Sequence, residues 1–149
     1  MFRPTLRIVP LLSLWVVLST AAWAAEALPK VTVYKSPTCG CCGKWISHLR
    51  ENGFTVEGVD MENLRWVKRI SGIGPQEQSC HTARVGSYVI EGHVPAEDIK
   101  RLLAEKPDAT GLTVPGMPQG SPGMESPRPE HYEVLLLKKD GSTEVFARH

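Results

Sequence analysis

Three of the chain's four cysteines stand within four positions, in the stretch K-S-P-T-C-G-C-C-G-K from Lys35 to Lys44. The residues on either side constrain what that stretch can be. Upstream, Lys30-Val31-Thr32-Val33-Tyr34 is β-branched and aromatic, which predicts a short buried strand. Ser36-Pro37-Thr38 then predicts a turn. From about Gly43, Trp45, Ile46 and Leu49 fall on one face with Lys44, Ser47 and Arg50 opposite, the period of an amphipathic helix that Asn52-Gly53 ends. Phe54 to Val59 alternates apolar and polar residues and predicts a second strand. Strand, cysteine turn, helix and strand form a βαβ unit, which requires parallel strands.

The remaining chain extends this unit. Asp60 is expected to cap a second helix marked by Leu64, Val67 and Ile70, and Gly72 to Gln78 reads as a loop delivering Cys80-His81. Val85 to Ile90 predicts one further strand, and Pro95 opens a helix with an Ile99, Leu102 and Leu103 stripe. Lys106 to His131, which holds Pro107, Pro115, Pro118, Pro122, Pro127 and Pro129, reads as an irregular excursion. Tyr132–Leu137 and Ser142–Phe146 flank Lys139-Asp140-Gly141, a hairpin signal. A C-x-x-C (Cys39, Cys42) between the strand and helix of a βαβ unit indicates a thioredoxin-like α/β fold. The expected architecture is a mixed sheet flanked by helices and ending in an antiparallel hairpin. In such a fold Val114-Pro115 is the expected position of a cis-proline facing the cysteine pair.

The first 24 residues read as a secretory signal peptide. Arg3 and Arg7 stand without an acid before an apolar run from Ile8 to Leu18, and Ala22-Trp23-Ala24 supplies small residues at a cleavage site. The run is about 11 residues, short of the ~20 that span a bilayer. Residues 25–149 are then expected to form a single domain in a bacterial periplasm. Losing Arg3 and Arg7 takes Lys+Arg from 17 to 15 against 16 Asp+Glu, so the mature chain is nearly neutral. No basic run points to nucleic acid, and no second apolar segment points to stable membrane insertion after cleavage.

In an oxidising compartment, paired cysteines usually staple a fold. Here the crowding of Cys39, Cys41 and Cys42, with Cys80 far off, suits a site better. The first turn of a helix favours a thiolate, the form that attacks disulfides and binds metals. One reading is a thiol-disulfide oxidoreductase, Cys39 attacking and Cys42 resolving. The other is a metal site made of Cys39, Cys41, Cys42 and Cys80. Cys41 favours the second, because a thiol beside a resolving cysteine invites wrong mixed disulfides, whereas a soft cation such as Cu(I) gains from each thiolate. Zinc is the rival ion, but its sites usually combine two C-x2-C pairs, and Cys80 lacks such a partner. Met117 and Met124, on the proline-rich excursion, are thioethers equally suited to binding Cu(I) or filling a gap. His81 could bind metal or hold its loop by a hydrogen bond. His93 sits in a loop before a helix and His48 is expected at solvent or the rim; neither carries a functional assignment.

Four segments together resemble the CopG-type periplasmic copper-resistance proteins: S-P-T-C-G-C-C at 36–42, S-C-H-T-A at 79–83, E-G-H-V-P-A at 91–96 and V-P-G-M-P-Q-G-S-P-G-M-E at 114–125. The resemblance implies a thioredoxin-like fold in which Cys39, Cys41, Cys42 and Cys80 bind copper, as a thiolate-bridged cluster of several ions. It also implies a role in copper tolerance alongside other periplasmic copper-handling proteins, with cycling of the copper redox state and an unsettled enzymatic status.

Overall fold

The computed structural model describes residues 27–149. The signal-peptide reading of residues 1–24 lies outside the described residues. Strand β1 (Val31–Lys35) runs into α1 (Gly40–Glu51), followed by β2 (Val56–Asp60), α2 (Arg65–Ile70), β3 (Thr82–Val85), β4 (Tyr88–Glu91), α3 (Ala96–Glu105), β5 (Gly111–Thr113), β6 (Glu133–Leu137) and β7 (Thr143–Arg148). The strands form one sheet in the order β2-β1-β3-β4-β5-β6-β7. β1–β2 and β4–β5 pair in parallel and the other neighbours antiparallel, so the sheet is mixed and closes on the C-terminal hairpin, as the sequence predicts.

Periodicity explains how the helices dock. α1 buries Cys42, Trp45, Ile46 and Leu49, the i, i+3, i+4, i+7 stripe of a helix with one apolar face. α3 does the same with Ile99 and Leu102, and both stripes join Val31 and Val33 of β1, Ile90 of β4 and Leu112 of β5 in one core. At roughly 1.5–3 kcal/mol for each large apolar side chain buried, this core is the main force holding α1 against the sheet. Two polar contacts fix the geometry between the helices. The Trp45 indole N–H donates to the Val94 carbonyl at 2.9 Å, and His48 Nε2 accepts the Ala96 N–H at 3.1 Å. His48 is therefore half-buried and caps α3, rather than lying free at the rim.

Several local expectations change. α1 begins at Gly40, so Cys41 and Cys42 lie within its first turn instead of ahead of it. Asp60 ends β2 and pairs with Lys35 at 2.5 Å; the Arg65 N–H at the start of α2 goes instead to Asn63 Oδ1. Val85–Ile90 is not one strand, because Gly86-Ser87 turns the chain and β3 pairs with β4 in register Val85↔Tyr88. β-branched residues on both sides hide that two-residue turn. β5, three residues inside the excursion, is buried between β4 and β6. Val114–Pro115 is trans, like every peptide bond among the described residues, and the segment laid over the cysteines is Pro122-Gly123.

Candidate metal centre

Cys39 is the N-cap of α1, and its sulfur accepts the Cys42 N–H at 3.3 Å. A sulfur in the place of the usual capping oxygen satisfies one of the free first-turn amides. Cys39 and Cys42 are joined as a disulfide, with Cα atoms 5.4 Å apart. Cys41 remains a free thiol, its sulfur 3.5 Å from that of Cys39. Cys80 arrives from the loop before β3, and its sulfur stands 3.6 Å from Cys42 Sγ. All four sulfurs lie within 4.8 Å of one another. The spatial condition for the four-sulfur reading is met.

Two histidines extend the group. His93 Nε2 lies 3.0 Å from Cys80 Sγ and His81 Nδ1 lies 3.3 Å from it, and Cys80, His81 and His93 form a second set of ligand atoms within 4.8 Å. Both imidazoles are fully buried. His93 Nδ1 donates to the Pro122 carbonyl at 2.7 Å, which leaves Nε2 as the unprotonated nitrogen facing the sulfur. His81 packs against Trp45 with ring centroids 4.4 Å apart, and its buried Nε2 has no hydrogen-bond partner. Imidazole nitrogens of His81 and His93 turned toward the free thiol of Cys80 form a donor set that a soft cation fits. His93 is the residue the sequence reading missed. Its only signal was its place in E-G-H-V-P-A.

Electrostatics keep these groups uncharged without a cation. Burial pushes the Cys80 thiol up to about 12, helped by the neighbouring Cys41 sulfur. Burial holds His81 well below the ordinary imidazole range, and repulsion from any proton on His93 and from the Lys68 ammonium adds to it. His93 is lowered by burial, against the opposing pull of its bond to Pro122 and the charge of Glu125. Neutral imidazoles are ready ligands, whereas the thiols must lose protons when a cation binds.

The proline-rich segment forms the outer wall. Gly123, at φ +86°, approaches so closely that a Cβ there would lie 2.8 Å from the Cys41 carbonyl and 2.9 Å from Trp45 N. Only glycine fits such an approach at such a φ. Met124, Gln119, Glu125, Lys44, Gly40 and Cys41 line a cleft of about 370 Å³. Met124 thus shares a cleft with Cys41, while Met117 is 51% exposed.

Residues 77–124 match a family model described as "Protein of unknown function, DUF411". Two solved structures titled "Copper resistance protein copG", Form 1 and Form 2, are each 41% identical to this chain with a TM-score of 0.78. Each alignment covers 82% of this chain and 98% of that one. No curated protein sequence matches the chain.

Proposed function

The chain belongs to the CopG family of copper-resistance proteins, and on that premise we propose that it captures copper as Cu(I) through Cys39, Cys41, Cys42 and Cys80, with His93 as an added imidazole donor. The observation that carries this reading is the 3.6 Å approach of Cys80, a residue 38 positions away, to the sulfur of Cys42. A disulfide exchange site needs no fourth sulfur there. The copper ion is cargo rather than a resident cofactor, and thiolates select it over harder ions. The proposed setting is the periplasm, with residues 1–24 removed on export, residues 25–149 acting as one domain, and other copper-handling proteins as exchange partners. Among the described residues, no helix is long and apolar enough to cross a membrane.

The Cys39–Cys42 disulfide bears on how the site is used. Full capture by four thiolates requires its two-electron reduction, for which an external dithiol reductant supplies the electrons and is itself oxidised to a disulfide. In reverse, oxidation of the two thiolates to the disulfide releases two electrons, enough to convert two Cu(II) to two Cu(I). That balance is the basis for redox cycling as part of the function. The same disulfide favours a second reading, a thiol-disulfide oxidoreductase with Cys39 attacking and the fully buried Cys42 resolving.

Copper titration of the reduced protein separates the two. Tight Cu(I) binding, weakened by each single Cys→Ser change, is the expected result. Wild-type copper content no higher than that of a variant lacking all four thiols would end the copper reading. Disulfide-reductase turnover that survives Cys41→Ser and Cys80→Ser but not Cys39→Ser would establish the second.

A further inference from the structure

Cys80 is preceded by irregular chain, yet its surroundings are fixed from below by a buried ion pair. Glu91, the last residue of β4, is fully buried, and its Oε1 accepts the Ser79 backbone N–H at 2.7 Å. Its Oε2 accepts the Thr82 hydroxyl at 2.6 Å. One carboxylate therefore holds the residues on both sides of Cys80-His81. The ammonium of Lys68, reaching in from α2 and only 7% exposed, pairs with the same carboxylate and lies 3.2 Å from Thr82 Oγ1. Ser79 is also pinned from the far side. Its hydroxyl donates to the Gly116 carbonyl, and a Cβ on Gly92, at φ +74°, would meet Ser79 Cβ at 2.5 Å.

We infer that the Lys68–Glu91 pair is a positioning device for the sulfur site, setting where Cys80 stands relative to Cys42 and His93. Stability is a poor reason for such a pair, since desolvation of two charges offsets their attraction and an apolar pair of similar volume is often at least as stable. What apolar side chains cannot supply is a directed acceptor for the Ser79 N–H and the Thr82 hydroxyl. Glu91 is also two residues from His93, so one short segment sets both the imidazole and the loop whose sulfur it faces. The inference rests on the copper reading for its purpose, but the placement of Cys80 is measurable without metal.

The test compares two double variants with wild type. Glu91→Leu with Lys68→Met removes the charges and the acceptor. Glu91→Gln with Lys68→Met removes the charges but leaves a carbonyl for the Ser79 N–H and an amide N–H for Thr82. Three quantities are read: melting temperature, the alkylation rate of Cys80 by iodoacetamide in reduced metal-free protein (resolved by mass spectrometry), and Cu(I) affinity with the thiolate-to-copper absorption band. The leucine variant is expected to melt below wild type, because the Ser79 N–H and the Thr82 hydroxyl lose their acceptor, and to alkylate Cys80 several-fold faster and bind Cu(I) about tenfold more weakly. The glutamine variant is expected to return both toward wild type.

Unchanged alkylation and affinity in the leucine variant overturn the inference, and so does failure of the glutamine variant to rescue at equal stability. Should the leucine variant not fold, amide exchange in the wild type decides. Protection of the Ser79 amide comparable to that of β3 supports the inference, and exchange at the rate of a free loop overturns it. A protein that binds no copper would remove the copper reading and leave the alkylation result standing. Normal copper binding with no change in Cys80 would remove the positioning role alone.

Discussion

Cys39, Cys41 and Cys42 are placed by one turn of helix, whereas Cys80, His81 and His93 are placed by contacts between segments far apart in sequence. On the first side, the N-cap geometry of α1 alone brings Cys39 Sγ to the Cys42 amide and aims Cys41 beside it. On the second side nothing local suffices. Cys80 depends on Glu91 from β4 and Lys68 from α2, His81 on Trp45 of α1, and His93 on the carbonyl of Pro122. The difference teaches that the geometry of the first side is specified locally, while that of the second exists only in the folded domain. The complete donor set therefore reports on the whole fold.

The sharpest way to break this comparison is to delete the sulfur that joins the two sides. Cys80→Ser is expected to weaken Cu(I) binding by more than about 100-fold, beyond the range for losing an outer-sphere partner, while the Cys39–Cys42 disulfide still forms. Chelator competition and disulfide mapping measure the two halves of that statement. An affinity equal to wild type would mean that the helix side is the site on its own.

A second expectation is that between pH 7 and 5 the two buried histidines make stability fall as pH falls. Burial holds His81 and His93 below the ordinary imidazole range in the folded protein, so the unfolded chain binds more protons below about pH 6.5. Stability of the metal-free protein should then fall as pH drops from 7 toward 5. Glu91 is shifted the other way, upward by burial, and works against the trend, so the contrast is drawn between wild type and His93→Gln. Urea midpoints measured across that window should give a flatter curve for the variant. Parallel curves would show that His93 takes no part.

The smallest effect is expected at His48, which ties α1 to α3 away from the sulfurs. His48→Ala removes the acceptor for the Ala96 N–H and should cost about 1 kcal/mol, the usual size of a lost helix cap. Urea unfolding checks the cost, and Cu(I) affinity should not move. A parallel loss of copper binding would show that the α1–α3 angle sets the site.

Much of the helix side was legible in the residues. A strand, a cysteine turn, an apolar stripe at Trp45, Ile46 and Leu49 and a glycine stop each carry a local signal, so the βαβ unit and the fold class followed. Boundaries shifted where local chemistry was unusual. A sulfur caps α1 in place of an oxygen, so the helix begins earlier than its apolar stripe suggests. The β3–β4 turn was hidden because the residues around Gly86-Ser87 are equally good strand formers. His93 left no periodic or spacing signal, because its role comes from the loop at Pro122 and a sulfur 13 residues back.

By itself, the sequence determined the β1-α1-β2 unit with its parallel pairing, the C-terminal hairpin, the position of three cysteines at a helix N-terminus and the surplus of soft donors. Only the tertiary structure decided that Cys80 completes the group, that two buried imidazoles share it, and that a carboxylate from β4 steadies the loop between them. The physical reason is range. Capping and periodicity act over a few residues and are written in order along the chain, whereas a donor set drawn from a helix, two loops and a strand end arises only when the core closes.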